Sequence, residues 1–166
     1  MILRLADPAD PDELATVGAL TVSAYTADGY LRGAEDGYAE RLRAAADRAR
    51  EAELAVAVDE TDGSLLGTVT YVRAGTPWSE VSKPGEAEFR MLAVAPEARG
   101  RGVGAALTRW CLDRARADGC TGVVLSTLPV MHAAHRLYER LGFVRTPDED
   151  WYPVPDVHLI TYALDL

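Results

Sequence analysis

The chain is short of cysteine and of long apolar runs, and each shortage removes a class of protein. Two of its 166 residues are cysteine, Cys111 and Cys120, which excludes a disulfide framework and a four-cysteine zinc site. Cys111 falls inside a helical pattern, where a buried thiol is the ordinary occupant. No apolar run approaches the eighteen or so residues of a membrane helix, and the first twelve residues lack the basic-then-apolar layout of a secretory signal. The expectation is a cytoplasmic protein with no membrane partner. His132, His135 and His158 form no metal-protease helix motif. His132 and His135 lie three apart on a helix, but no third ligand accompanies them, so no metal is expected.

Positive charge is also scarce. Seventeen basic residues against twenty-six acidic ones leave a net charge of −9, which argues against nucleic-acid binding, where neutralised phosphates supply most of the affinity. The distribution is uneven. Residues 1–83 hold 8 basic and 15 acidic side chains, whereas residues 99–116 hold five arginines (Arg99, Arg101, Arg109, Arg114, Arg116) and one acid, Asp113. A local basic patch on an acidic protein suits a small polyanion.

What is present is an apolar content of 48% in a length suited to one domain with a core of its own. Residues 2–5 read as a strand. Asp10-Pro11-Asp12 opens a helix, with Asp10 or Asp12 as its cap. Residues 26–37, holding three glycines, read as a loop or broken helix, and residues 38–51 as a second helix. The period then changes. Residues 54–58 and 65–72 form a hairpin around turn chemistry at 59–64. A loop at 75–85 leads to a strand at 86–95, stopped by Pro96. A helix at 101–117, a strand at 122–128, a helix at 130–141 and a final strand pair ending at 159–164 complete a mixed α/β order in a single domain.

The informative stretch is Leu92-Ala93-Val94-Ala95-Pro96-Glu97-Ala98-Arg99-Gly100-Arg101-Gly102-Val103-Gly104-Ala105. A strand ends, a proline stops it, and glycines open a helix whose first-turn N–H groups have no internal partner. That is an anion cradle. A flexible helix start with solvated arginines would look the same. Gly100, Gly102 and Ala105 also fit the G-x-G-x-x-A of dinucleotide folds and would imply a nicotinamide-dependent enzyme. The acid expected at the end of the next strand is missing, however, where Leu125-Ser126-Thr127 stands. No Gly-Lys-Ser or Gly-Lys-Thr supports a P-loop.

Read as Arg99-x-x-Gly102-x-Gly104, the same stretch resembles the pyrophosphate-binding motif of the GNAT superfamily of acetyl-CoA-dependent N-acetyltransferases. Tyr138-Glu139-Arg140-Leu141-Gly142-Phe143 is similar to that family's later motif, a tyrosine followed by Gly-Phe. The resemblance implies one domain over residues 1–166, with an acetyl-CoA-binding core at about 86–143. The implied fold is a central, mostly antiparallel sheet flanked by helices, its fourth and fifth strands splayed apart. It further implies cofactor contacts from Leu92, Ala93 and Val94 and from Arg99, Gly100, Arg101, Gly102, Val103, Gly104 and Ala105. The arginines would meet nucleotide phosphates. Tyr138 would be the general acid and Glu88 the base, with Glu86 its rival. Strand alternation puts Glu88 on the face of Arg90 and Leu92. Met131 stands where many members carry asparagine, so that contact falls to a neighbour such as Ser126 or His132.

The implied reaction moves acetyl from acetyl-CoA to a primary amine by direct attack in a ternary complex. The acceptor, a small molecule or a peptide, is expected to enter between residues 25–32 and 148–156, with Tyr30, Trp151 and Tyr152 offering cation–π contact and the flanking acids Asp148, Glu149, Asp150 and Asp156 suiting a cationic amine. The alternative is an acyl-CoA-binding sensor without transfer. Met131 favours the sensor, and Tyr138 with Glu88 favours the enzyme. Monomer and homodimer both fit.

Overall fold

The computed structural model describes residues 1–31 and 37–166. Its frame is one eight-stranded sheet: β1 (Ile2–Leu5), β2 (Glu53–Val58), β3 (Leu65–Arg73), β4 (Glu86–Val94), β5 (Gly122–Thr127), β6 (Val144–Arg145), β7 (Trp151–Val154) and β8 (Val157–Asp165). The order is β1-β2-β3-β4-β5-β8-β6, with β7 paired to β8. Among the described residues β4–β5 is the only parallel pair, which removes the doubly wound parallel sheet of the dinucleotide reading.

Alternation divides the sheet into two faces. Tyr71 and Phe89, opposite one another on β3 and β4, point to α4 (Val103–Ala117) and α5 (His132–Arg140). There Leu107, Cys111, Tyr138 and Phe143 complete the main core. Their neighbours Val72 and Glu88, also a cross-strand pair, point to the other face. That face carries α1 (Pro11–Ala27), α2 (Gly37–Arg43) and α3 (Ala45–Glu51), packed through Val17, Ala45, Leu54 and Val56 and through Leu42, Val72, Trp78 and Met91.

Several local expectations hold and others shift. Asp10 caps α1, its Oδ1 accepting from the amides of Asp12 and Glu13 at 3.0 Å each. The helix expected over 38–51 is two helices, broken at Ala44 (ψ 51°). The break lets Arg48 of α3 turn inward, its Nη2 donating to the Leu42 carbonyl at 2.7 Å and its Nη1 to Thr70 Oγ1 at 3.1 Å. Gly18 permits the neighbouring contact, since a Cβ there would lie 2.6 Å from the Arg43 oxygen. The final strand pair is three segments, β6, β7 and β8, with β8 inserted between β5 and β6. Of the loop expected at 26–37, residues 32–36 lie outside the described residues.

Candidate active site

β4 loses one of its two partners midway. Its first residues pair with β5 (Glu86 with Gly122, Ala87 with Val123, Glu88 with Val124), and the pairing stops there although both strands continue. The cause is an extra residue. Between Thr68 and Thr70 on β3 the register on β4 runs from Ala93 to Arg90, a bulge in which Met91 takes φ 52°. A non-glycine side chain in that region carries strain of about 1–3 kcal/mol. The bulge bends β4 away from β5 and leaves its far edge without a ladder partner, so the expected splay is present. It also breaks the alternation. Glu88 and Arg90 remain on one face, but Leu92 returns to the α4 face with Val94. The expectation that Glu88 and Leu92 share a face is therefore corrected.

Two clefts meet at this gap. The first, about 530 Å³, is walled by Leu92, Ala93 and Val94 of β4, by the turn and first residues of α4, and by Leu137, Tyr138 and Arg140 of α5. The turn has the conformation its glycines allow: Gly100 and Gly102 lie at φ 77° and 79°, and a Cβ on either would meet nothing within 4 Å. The first intrahelical bond of α4 runs from the Ala106 amide to the Gly102 carbonyl at 3.0 Å, so the amides of Val103, Gly104 and Ala105 ahead of it have no partner within the helix. Gly104 serves packing as well, because a Cβ would press on Leu137 at 3.3 Å. Gly67, which belongs to no motif in the sequence, has the same purpose: its Cβ would lie 2.7 Å from the Ala93 oxygen and 2.9 Å from Val103 Cγ1.

The arginine cluster is mostly committed elsewhere. Arg99 pairs with Asp28 at 3.0 Å, Arg101 with Asp59 at 2.6 Å, Arg114 with Glu53 at 2.7 Å and Arg116 with Asp113 at 3.1 Å. Of these only Arg99 lines the cleft; Arg101 is the one expected cofactor residue that does not. The acids of the first half meet the basic patch of the second, and the cradle's donors are main-chain amides.

Tyr138 is 6% exposed and sits among Phe89, Phe143 and Tyr162 with ring centroids 5.7–6.1 Å apart. It also borders the first cleft. Burial pushes its phenol well above the ordinary value, with smaller contributions from Cys111 and Tyr30. It therefore stays protonated at any working pH. Met131 lies at the head of α5 on both clefts, its Sδ accepting from Thr127 Oγ1 at 3.4 Å. Ser126 borders both too, held by the Trp151 Nε1–H at 3.0 Å.

The second cleft, about 780 Å³, opens on the α1–α3 face. Tyr25, Tyr30 and Tyr38 stand on one side, and the 128–131 loop and the β7–β8 hairpin on the other. The two clefts share Tyr25, Tyr30, Arg90, Met91, Ser126, Thr127 and Met131. Glu88 lies here, on the opposite face of the sheet from Tyr138, and is 1% exposed. Its Oε2 accepts from the amides of Glu80, Val81 and Ser82 at 2.9, 3.0 and 3.2 Å and from Ser82 Oγ at 3.2 Å. Its Oε1 faces Arg90 Nε at 3.8 Å. Glu86, the rival, accepts from the Lys83 amide at 2.8 Å and does not border the cleft.

Of the expected acceptor contacts, Tyr30 lines both clefts, while Trp151 and Tyr152 line neither. Trp151 turns inward to Ser126, and Tyr152 stacks on His158 with centroids 4.9 Å apart. The flanking acids are occupied as well: Glu149 by Lys83 at 2.7 Å and Asp150 by Arg145 at 2.6 Å. The hairpin residues facing the cleft are Pro153, Val154, Asp156, Val157, His158 and Leu159. Arg32, at the end of the expected entrance, lies outside the described residues. Among the described residues no group of three or more metal-ligating side chains comes together, and no helix is long and apolar enough to cross a membrane.

Known proteins share this fold. A GNAT-family acetyltransferase from Staphylococcus aureus Mu50 superposes with a TM-score of 0.76 at 12% identity, over 99% of both chains. A chain of the NatC complex bound to Gag peptide and CoA does so with a TM-score of 0.69 at 21% identity, over 99% of this chain and 98% of that one. A mycothiol acetyltransferase of Cellulomonas flavigena is 37% identical over 123 residues, covering 69% of this chain and 35% of its own. The chain thus spans about a third of that relative's length. The model of the acetyltransferase (GNAT) family matches residues 21–143, most of the chain and all of the splayed region, and the chain belongs to that family.

Proposed function

We propose that the protein transfers an acetyl group from acetyl-CoA to a primary amine, with both substrates bound at once. The observation that carries this reading is the meeting of two clefts at the gap between β4 and β5, one walled by unpartnered amides and the other by side chains. The first cleft fits acetyl-CoA: the amides of Val103–Ala105 and the open left-handed glycines suit a pyrophosphate. The free edge of β4 at Leu92 and Val94 suits an extended amide-bearing arm. Simultaneous binding is further supported by the lack of a reachable thiol there among the described residues, since Cys111 is fully buried in the main core.

Acetyl-CoA supplies an acyl carbon on a thioester; the neutral amine forms the new C–N bond as the C–S bond breaks. Main-chain donors of β4 at the gap polarise the carbonyl. Tyr138 gives its phenolic proton to the departing sulfur and regains one from solvent once CoA leaves, while the amine nitrogen loses one to solvent, so the protons balance over the cycle. A free thiol titrates near 8.5 and a phenol near 10, so this donation is modestly uphill in water. Burial raises the Tyr138 phenol and widens that gap, while a thiolate leaving within the same apolar wall is raised as well, which offsets the widening. The amine's proton leaves through water toward Glu88 Oε1, the carboxylate oxygen that the loop amides do not occupy. The protein would act on a small-molecule or peptide amine.

The test pairs thermal stabilisation by acetyl-CoA alone with thiol release across a panel of amines. At a hundredfold excess over Kd the ligand adds about 2.7 kcal/mol, a shift of a few degrees. Stabilisation with amine-dependent release is expected. Stabilisation without release from any amine would favour an acyl-CoA sensor, and no stabilisation would remove the cradle.

A further inference from the structure

The second cleft has a composition that selects among amines. Its floor carries Glu80 and Glu88 against Arg41 and Arg90. Arg90 Nη2 lies 2.7 Å and Arg41 Nη1 3.4 Å from Glu80 Oε1. Arg90 Nη1 donates in addition to the Trp78 carbonyl at 2.8 Å, and the Arg41 guanidinium lies 5.5 Å from the Trp78 ring centroid. Both guanidiniums thus already have a carboxylate, and an acceptor's own carboxylate would have to break such a pair to find a cation.

The walls above the floor are apolar. Val130 and Val154, on separate segments, are 60% and 53% exposed although both border the cleft, and Pro129, Pro153 and Leu159 extend the surface between them. Opposite stand the tyrosines, with Tyr25 in edge contact with Tyr30 at 6.1 Å and 82°. Burying a charged or amide-rich body between such walls leaves its polar groups without partners.

Resting on the acetyltransferase reading above, we infer that the acceptor is a small primary amine on an uncharged alkyl or aryl body. The amine faces the gap and the body lies between Val130, Val154 and the tyrosines. Acceptors with a second ammonium, a carboxylate or a peptide chain are disfavoured.

The experiment measures kcat/KM for 2-phenylethylamine, hexylamine, spermidine, aspartate and a tripeptide beginning with phenylalanine, with acetyl-CoA stabilisation followed beside it. The two apolar amines are expected to exceed the other three by about tenfold or more. Val130→Asp, at an exposed position, should raise KM for 2-phenylethylamine by about tenfold, with kcat within about twofold. A preference for spermidine, aspartate or the tripeptide overturns the inference and leaves acetyl transfer standing. An unchanged KM in Val130→Asp also overturns it, as does stabilisation by acetyl-CoA without transfer to either apolar amine. Absence of both stabilisation and release defeats the acetyltransferase reading itself.

Discussion

On the α4 face of the sheet the first cleft is walled largely by main chain: the free edge of β4, two left-handed glycines and the first amides of α4. On the α1–α3 face the second cleft is walled by side chains from the end of α1, α2, the 74–85 loop, β4, the 128–131 loop and the β7–β8 hairpin. The first surface offers donors that do not depend on side-chain identity beyond the glycines. The second changes with every substitution. A chain built this way can hold one constant ligand on one face while the other face is free to set the acceptor. The bulge at Met91 keeps the two in register at a single gap.

The largest effect is expected from Gly102→Glu. It places a carboxylate before the amides of Val103–Ala105 and should abolish stabilisation by acetyl-CoA in a thermal-shift assay. Gly63, at φ 75° in the β2–β3 turn, supplies the control: Gly63→Glu carries a similar backbone strain of about 1–2 kcal/mol and should keep the ligand response. Next is Tyr138→Phe, expected to lower turnover about a hundredfold while acetyl-CoA still stabilises the protein. Unchanged turnover would restrict Tyr138 to the core.

Glu88 separates the two faces more finely. Glu88→Gln keeps an acceptor for the loop amides and removes a proton acceptor. It should lower kcat/KM by about tenfold or more with little change in stability. Glu88→Ala orphans the amides of Glu80–Ser82 and should cost about 2 kcal/mol in denaturant unfolding. If the Glu88→Gln variant keeps full activity, the loop contacts are the whole of Glu88's contribution. The smallest effect is at the hairpin. Arg145 hydrogen bonds hold the Asp150 carboxyl below its usual range, aided by the Thr161 amide. The native form therefore binds its proton less readily than the unfolded one. The resulting stabilisation is complete above about pH 4 and is lost as pH falls through the lower native value. Asp150→Asn should flatten the acid limb of stability against pH, with little change near neutrality.

The first face is legible because backbone conformation leaves marks in sequence. Pro96 ends the strand, Gly100 and Gly102 permit the turn, and the Tyr138–Phe143 run returns the chain to the sheet. The second is legible only in outline. A cleft does lie between the end of α1 and the last hairpin, but Trp151 and Tyr152 read as its contacts because they are aromatic and stand among acids. Ser126 and His158, outside that local run, draw them away. The arginine cluster misleads for a similar reason: its partners Asp28, Glu53 and Asp59 are 42–71 residues away. Nor does any local signal announce a left-handed methionine at 91. Only the register of β3 against β4 reveals the bulge that opens the site.

A crystal structure of the protein with acetyl-CoA would show whether the two clefts meet at one reacting carbon. Pyrophosphate oxygens are expected on the amides of Val103–Ala105, and the pantetheine arm along the free edge of β4. The sulfur should lie within about 3.5 Å of Tyr138 Oη, with the acetyl carbon facing the second cleft. An acetyl group turned from the gap, or a sulfur beyond reach of Tyr138, would contradict that meeting.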